Sequence, residues 1–258
     1  MEMFDLDGKN AVVIGGAGGI GQVIAQGLAE AGAKVAIASR SEESLKRASG
    51  EIKEASGIDI AYYKVDATNE ESIAALVTES VKDFGKVDIL VNAQGFNKKF
   101  PAEDFEMDIF KQMFDVNVAG VMMTCKHFGK HMIENGYGKI VNVSSVRGKI
   151  ATKTAGNAGY CGTKGAVDMV TKSLASEFGE HNITVNAIGP TLTETPMMVE
   201  MINSKGPEYR KMMADKSPMK RMAVPEDCVG PAIFLCSDAS GFVTGNILYP
   251  DGGLTAIG

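Results

Sequence analysis

The chain has 258 residues, of which 45% are hydrophobic and 22% charged, a balance typical of globular proteins that argues against disordered and fibrous classes. Its net charge is −6 and no run of five basic residues offers a surface for phosphates, so we expect no nucleic-acid partner. No stretch approaches roughly 18 consecutive apolar residues, and the start MEMFDLDGKN lacks the features of a signal peptide, so we expect neither a membrane span nor secretion. The four cysteines form no CxxC pair, which favours reduced thiols and a cytoplasmic location.

Apolar runs rich in valine and isoleucine alternate with amphipathic, helix-length segments along the chain. The predicted strands are Asn10–Ile14, Lys34–Ser39, Ile60–Lys64, Ile89–Ala93, Lys139–Ser144, Thr184–Gly189 and Asn246–Tyr249. Strands that are apolar throughout, separated by helices, indicate a parallel sheet that is covered on both faces. We therefore predict the α/β class: a single doubly wound parallel sheet, Rossmann-like, of about seven strands with helices on both faces.

One long connection, about 190–227, interrupts this alternation and holds seven of the fifteen methionines. Connections of this length are usually functional, and methionine adapts its shape to a ligand, so we predict a substrate-binding flap here. Two ordinary helices packed on the sheet edge are an alternative, and the two interpretations are compatible. Since no linker or repeat interrupts the chain, residues 1–258 are interpreted as one domain.

The first predicted strand runs directly into a glycine-rich turn, Gly15–Gly21, and then into a helix. Glycines allow the backbone to approach a pyrophosphate closely, and the helix N-terminus presents unpaired N–H groups to it. Two registers fit, GxxxGxG at 15, 19 and 21 and GxGxxG at 16, 18 and 21. In this strand–turn–helix context the motif favours a dinucleotide site, although a glycine cluster can also be a packing turn.

The second predicted strand ends at Ser39 and is followed by Arg40. An NAD site usually carries an acid about 20 residues past the glycines, where it binds the ribose 2′-hydroxyl. No acid stands there, and the planar fork of Arg40 can pair with a 2′-phosphate instead. We therefore predict NADP(H) in preference to NAD(H), the alternative being that Arg40 is a solvated loop residue.

Tyr160 and Lys164 stand four residues apart at the start of a strongly helical segment, and so lie on one helix face. A neighbouring ammonium favours a phenolate, so we expect a lowered pKa for Tyr160, as general acid–base chemistry near neutral pH requires. The pair follows the fifth predicted strand, whose end carries Ser145. In open parallel sheets, ligands bind at these carboxyl ends.

Taken together, these motifs resemble the compact single-domain branch of the short-chain dehydrogenase/reductase family over essentially the whole chain. The matching pieces occur in family order: Gly15-xxx-Gly19-Ile20-Gly21, Asp66, Asn92-Ala-Gln-Gly95, Asn117, Ser145, Tyr160-xxx-Lys164, Asn186 and Pro190-xxxx-Thr195.

The resemblance implies hydride transfer between a secondary alcohol and a ketone. Tyr160 would act as general acid or base, and Lys164 would bind the nicotinamide ribose and lower the tyrosine pKa. Ser145 would orient the substrate oxygen, and Asn117 would hold a water that links the lysine to solvent. The family also implies a homotetramer or homodimer.

The motifs and the resemblance together assign many residues to the cofactor. Asp66 would face the adenine, Asn92 would line the cleft and Thr195 would hold the carboxamide. The full set is Gly15, Gly18, Gly19, Ile20, Gly21, Ser39, Arg40, Asp66, Ala67, Asn92, Ala93, Gln94, Gly95, Tyr160, Lys164, Pro190 and Thr195. The chain departs from the usual family pattern at Ile14, Gln94 and Thr191.

The substrate is less closely defined by the sequence. The stretch 96–105 is similar to that of gluconate 5-dehydrogenase-like and related keto-sugar-acid enzymes, which favours a polyol or keto-sugar acid such as gluconate or 5-ketogluconate. Candidate substrate residues are Asn97, Lys98, Arg147 and Met197, with Lys98 and Arg147 as rival contacts for a carboxylate. The methionine-rich flap favours the alternative, an apolar ketone of hydroxysteroid or 3-oxoacyl type. A non-catalytic dinucleotide sensor is a further alternative, and we expect no metal.

Overall fold

The computed structural model describes residues 2–151 and 156–257. Seven parallel strands form one sheet in the order β3-β2-β1-β4-β5-β6-β7, which confirms the predicted fold class. The strands are β1 (Asn10–Ile14), β2 (Lys34–Ser39), β3 (Ala61–Lys64), β4 (Ile89–Asn92), β5 (Gly138–Val143), β6 (Ile183–Ile188) and β7 (Ile247–Leu248). The edge strand β7 is shorter than predicted because only two of its residues pair with β6.

Helices cover both faces of this sheet. In the described residues they are α1 (Gly19–Glu30), α2 (Glu42–Ser56), α3 (Glu70–Phe84), α4 (Met107–Phe114), α5 (Gly120–Asn135), α6 (Ala158–Phe178), α7 (Pro196–Lys205), α8 (Pro207–Ala214) and α9 (Val229–Cys236). None of the helices within 2–151 and 156–257 combines the length and apolarity needed to cross a bilayer.

Two hydrophobic cores lie on opposite faces of the sheet, and β1 contributes to both. Ala11 and Val13 pack in the core that α1, α2 and α9 cover, whereas Val12 and Ile14 pack in the core under α3, α5 and α6. Successive side chains of a strand point to opposite faces, so a strand buried on both sides is apolar throughout. This explains why the strand runs are visible in the sequence.

The predicted flap contains two helices, α7 and α8, each with a proline at its start. Its base is joined by a parallel bridge between Thr193 and Ala223, and Arg210 pairs with Glu194 at 2.6 Å. The segment therefore has regular structure of its own, as the alternative interpretation expects. That it binds substrate stays a prediction.

A buried polar network ties β4 to β5 just below the ends of the two strands. The Asn92 amide donates to Asn142 Oδ1 at 2.9 Å, and the Asn142 amide donates to Thr171 Oγ1 at 2.9 Å. Thr124 Oγ1 in turn donates to Asn92 Oδ1 at 2.7 Å. Buried side-chain amides are tolerated only when they are hydrogen-bonded, so this network fixes the register of β4 against β5 at the ends of the two strands.

We expect Asn142→Ala to lower the free energy of unfolding by about 2 kcal/mol, because it leaves the buried Asn92 amide without its oxygen acceptor. The measurement is urea unfolding followed by circular dichroism. Asn246→Ala is the matched control, since the Asn246 side chain is exposed and its loss should cost under about 0.5 kcal/mol. Equal stability of the two variants would contradict the role given to the network.

Candidate active site

The glycine turn is shaped by close backbone contacts at two of its glycines. A Cβ on Gly15, whose φ is +76°, would lie 2.6 Å from the backbone nitrogen of Gln94. A Cβ on Gly21 would collide with the Gly15 carbonyl oxygen. By contrast, a Cβ on Gly18, which caps α1, would meet nothing within 4 Å. The N-terminus of α1 is thus open on one side, as the binding of a phosphate requires.

A cavity of about 1450 Å³ opens beside this turn. It is lined by most of the residues assigned to the cofactor: Gly15, Gly18, Gly19, Ser39, Arg40, Asp66, Ala67, Ala93, Gln94, Gly95 and Thr195. Both side-chain amide atoms of Gln94 are buried with no hydrogen-bond partner in the described part of the chain. The open glycine turn, the Arg40 guanidinium and the unpartnered amide fit a phosphate-bearing dinucleotide.

Six residues assigned to the cofactor do not line the cavity: the reacting pair Tyr160 and Lys164, and four supporting positions, Ile20, Gly21, Asn92 and Pro190. The Asn92 side chain points into the buried network, and Gly21 packs beneath Gly15. Ile20 packs against the core under α1, and the Pro190 carbonyl accepts hydrogen bonds from the Val146 N–H and the Ser145 hydroxyl. These four residues pack against or hydrogen-bond to neighbouring parts of the fold and do not face the cavity.

The Ser145 hydroxyl acts on the Tyr160 phenol, where it opposes the rise in the phenol pKa that burial causes. Ser145 follows the end of β5, and Tyr160 lies in the first turn of α6. Ser145 Oγ accepts the Arg147 N–H at 3.1 Å, which fixes the serine in place. Two neighbouring hydroxyls at a strand end can share the oxygen of an alcohol or ketone.

Lys164 is buried behind Tyr160, but it does not act on the phenol as predicted. Its Nζ donates to the Val143 carbonyl at 2.7 Å and lies 5.6 Å from the centre of the tyrosine ring. Burial lowers the pKa of Lys164 to about 8. Burial also raises the pKa of Tyr160, so the expectation of a lowered tyrosine pKa is wrong for this structure. The spacing of four residues sets proximity, but the ammonium turns toward the strand end.

A π-helical turn, Asp115–Ala119, joins α4 to α5 and places Asn117 in the site. Asn117 Oδ1 accepts the Phe96 N–H at 3.0 Å, and Nδ2 donates to the Phe96 carbonyl at 2.9 Å. A Cβ on Gly95 would lie 3.2 Å from Asn117 Oδ1 and 3.6 Å from Lys164 Nζ. Gly95, which lines the cavity, therefore lies beside both the Asn117 side-chain amide and the Lys164 ammonium.

The four candidate substrate residues differ in their surroundings. Asn97 donates to Asn157 Oδ1 at 3.0 Å, and Lys98 is exposed. Arg147 is half-buried, and its charge acts on the Tyr160 hydroxyl, where it favours the phenolate. The side chain of Met197 lies outside the described residues.

The structure also brings in residues that the sequence interpretation missed. Asp168, one turn after Lys164, accepts a hydrogen bond from the Ser144 hydroxyl, and burial raises its pKa. Arg47 and Glu51 of α2 line the cavity beside Arg40. A spacing of four residues from Lys164 and from Arg47 was the available signal in both cases.

Comparisons with known proteins identify the family of the chain. A family model described as Enoyl-(Acyl carrier protein) reductase matches residues 15–255. The chain belongs to the short-chain dehydrogenase/reductase family, and it is an oxidoreductase of the class that acts on alcohol and ketone groups.

Named relatives match it over nearly their full length. The chain is 35% identical to a gluconate 5-dehydrogenase of Gluconobacter oxydans (98% of this chain, 97% of the relative). It is 32% identical to a 5-keto-D-gluconate 5-reductase of Escherichia coli (98% of each). A crystal structure of a gluconate 5-dehydrogenase from Burkholderia cenocepacia in complex with NADP and tartrate superimposes with a TM-score of 0.91 at 34% identity, covering 99% and 98% of the two chains.

We expect Lys164 to titrate near pH 8, well below the ordinary lysine pKa of 10.5. The measurement is NMR of ¹³Cε-labelled lysine, with Lys164→Met identifying the resonance. Because folding lowers this pKa, the unfolded chain binds more protons between about pH 8 and 10.5, and the group's contribution to stability rises with pH there. A Lys164 midpoint at the ordinary value would contradict its burial.

Proposed function

We propose that this protein is an NADP(H)-dependent oxidoreductase that interconverts a secondary alcohol and a ketone on a polyol or keto-sugar acid, such as gluconate and 5-ketogluconate. The observation that carries the proposal is the Ser145–Tyr160 hydroxyl pair with Arg147 beside it. It combines a proton donor, an orienting hydroxyl and a cation suited to a carboxylate.

In this proposal Tyr160 holds the proton that is transferred. Its raised pKa keeps the phenol protonated near neutral pH, so in reduction it can donate that proton to the carbonyl oxygen of the ketone. Ser145 donates to or accepts from the same oxygen and orients it. The bound nicotinamide supplies the hydride. In oxidation Tyr160 Oη first loses its proton to solvent, the phenolate then accepts the alcohol proton, and the Arg147 charge stabilises that phenolate.

Lys164 and Asn117 support this proton transfer from the other side of Gly95. With a pKa of about 8, the lysine amine can gain or lose a proton in the physiological range. Asn117 Oδ1 and Lys164 Nζ both lie beside Gly95, which lines the cavity, and this placement supports a proton path from the lysine toward the cavity. This is the role the family resemblance implies for the pair, in which the asparagine holds a water.

The cofactor preference rests on charge at the adenosine end of the cavity. Arg40 is exposed and makes no ion pair among the residues of 2–151 and 156–257, so its guanidinium is available to a 2′-phosphate. The NADP complex of the gluconate 5-dehydrogenase relative supports the same choice.

The proposal extends to the whole chain as one domain, residues 1–258, with a substrate-binding flap at about 190–227. The flap residues Thr195, Val199 and Asn203 line the same cavity as the glycine turn, which supports this role. A cytoplasmic location is supported by the free thiols at Cys125, Cys228 and elsewhere. A homotetramer or homodimer is the assembly that the family resemblance implies.

We expect Tyr160→Phe to reduce kcat by about a thousandfold, because it removes the proton donor, while the Kd for NADPH changes less than about twofold. The measurements are NADPH consumption and titration of NADPH fluorescence. Tyr62→Phe is the control, since Tyr62 is exposed and outside the cavity. Unchanged turnover in the Tyr160 variant would sink the mechanism.

A substrate panel tests the remaining part: 5-ketogluconate, an uncharged ketose, a 3-ketosteroid and a 3-oxoacyl thioester, each with NADPH and NADH. We expect 5-ketogluconate with NADPH to give the highest kcat/KM. Arg147→Gln should raise KM for the acid about tenfold and for the ketose less than about twofold, since only the acid pairs with the guanidinium.

Lys98→Gln and Lys99→Gln test the rival contact, with exposed Lys99 as control. A KM effect confined to Lys98 would move the carboxylate contact to that side chain. Preference for the steroid or thioester would favour the apolar-ketone alternative. Absence of turnover with NADPH still bound would favour a dinucleotide sensor.

A further inference from the structure

A second arginine and an acid line the same cavity as Arg40. Arg47 and Glu51 are one turn apart on α2, and both line the cavity. Arg47 Nη1 contacts the two carboxylate oxygens of Glu51 at 2.9 and 3.1 Å. The two side chains are about half exposed (55% and 47%), so the pair is open to exchange with a soluble anion.

The pair is also tied to the glycine turn and to α1. Arg47 Nη2 donates to the carbonyl of Ala17, within the turn, at 3.1 Å. Gln22 Nε2, from the first turn of α1, donates to Glu51 Oε2 at 2.7 Å. The hydrogen bond from Gln22 is the main cause that lowers the pKa of Glu51, so this carboxylate is ionised at neutral pH. These contacts hold a cation and an anion side by side where the turn meets α2.

We propose that the Arg47–Glu51 pair sets how strongly this protein prefers a 2′-phosphorylated adenosine. Arg47 is a second cation for the phosphate beside Arg40, and Glu51 opposes it by occupying the guanidinium and repelling the anion. The inference deepens the proposed NADP(H) use and rests on it. Nothing in the family motifs assigns these two positions.

The balance of charge at this end of the cavity supports the opposition. The arginines of the cavity lining are Arg40 and Arg47, and its acids are Glu51, Asp66, Glu194, Glu200 and Glu226. Among these acids, Glu51 is the one that pairs with Arg47, whereas Glu194 pairs with Arg210. Asp66 is engaged, because its Oδ1 accepts hydrogen bonds from the Thr68 N–H and hydroxyl at 2.9 and 2.7 Å. Glu51 is therefore the carboxylate whose removal leaves an uncompensated guanidinium for a dianionic phosphate.

The test measures binding of the adenosine half alone, so that it does not depend on turnover. The probes are adenosine 2′,5′-bisphosphate and 5′-AMP, titrated by isothermal calorimetry into the wild-type protein, Glu51→Gln, Arg47→Gln and Arg40→Gln. Lys53→Gln and Asp59→Asn are controls, because this exposed pair (2.8 Å) flanks the far end of α2 and does not line the cavity.

We expect Glu51→Gln to tighten binding of the bisphosphate about fivefold and Arg47→Gln to weaken it about fivefold, with AMP affinity changed less than about twofold. Melting temperatures of the variants confirm that each is folded. Rising salt should reduce the bisphosphate effects, because the pair is exposed.

Other outcomes separate the inference from the proposed function. If Arg40→Gln weakens bisphosphate binding while the Arg47 and Glu51 variants match the controls, NADP(H) use stands and this inference falls. Equal losses for both probes in Arg47→Gln would mean that the arginine only shapes the turn, which overturns the inference. A wild-type preference for AMP, untouched by Arg40→Gln, would overturn the NADP(H) proposal itself.

Discussion

The site depends on the close approach of two backbone segments, the turn after β1 and the turn after β4. At Gly15 the chain passes so near the Ala93–Gln94 peptide that any side chain would have to occupy its atoms. The two strands are neighbours in the sheet, but their connections leave toward opposite faces, so a crevice opens where they part. Gly21 then lets α1 sit directly on the Gly15 carbonyl, which aims the open end of the helix into that crevice.

The other half of the site relies on polar groups that are buried but paired. The Lys164 ammonium has a strand-end carbonyl at 2.7 Å, and Ser144 bridges Asp168 to the Lys164 carbonyl. Each pairing offsets part of the desolvation that burial imposes. The desolvation that these pairings do not offset shifts the pKa values, because burial destabilises the charged forms of both Lys164 and Tyr160. Burial therefore keeps the Tyr160 phenol protonated and brings the pKa of Lys164 to about 8.

Most of the fold could be read from the sequence because its signals are local. Strand β1 was bounded correctly, since a strand that feeds two cores is apolar at every position. The cavity-lining glycines were found for the same reason, because the strand–turn–helix pattern is contiguous. The direction of the Lys164 ammonium could not be predicted, because spacing along a helix does not show which carbonyl the end of the lysine side chain will reach. Glu51 could not be predicted, because the acid of a dinucleotide site is expected at the end of β2, whereas Glu51 lines the cavity from the following helix, α2.

The buried reacting residues and the exposed ion pair on α2 therefore lie in different electrostatic surroundings. Lys164 is only 4% exposed, and its interactions with neighbouring groups are shielded from counterions. The Arg47–Glu51 pair on α2 is about half exposed, so each of its contacts is weak, exchangeable and sensitive to salt. Substitutions in exposed side chains on α2 can alter the charge of the cavity without disturbing the buried groups around Lys164. Under the proposed function, cofactor choice in this chain is separable from its chemistry, because the residues proposed for the two lie on different elements and in different dielectric surroundings.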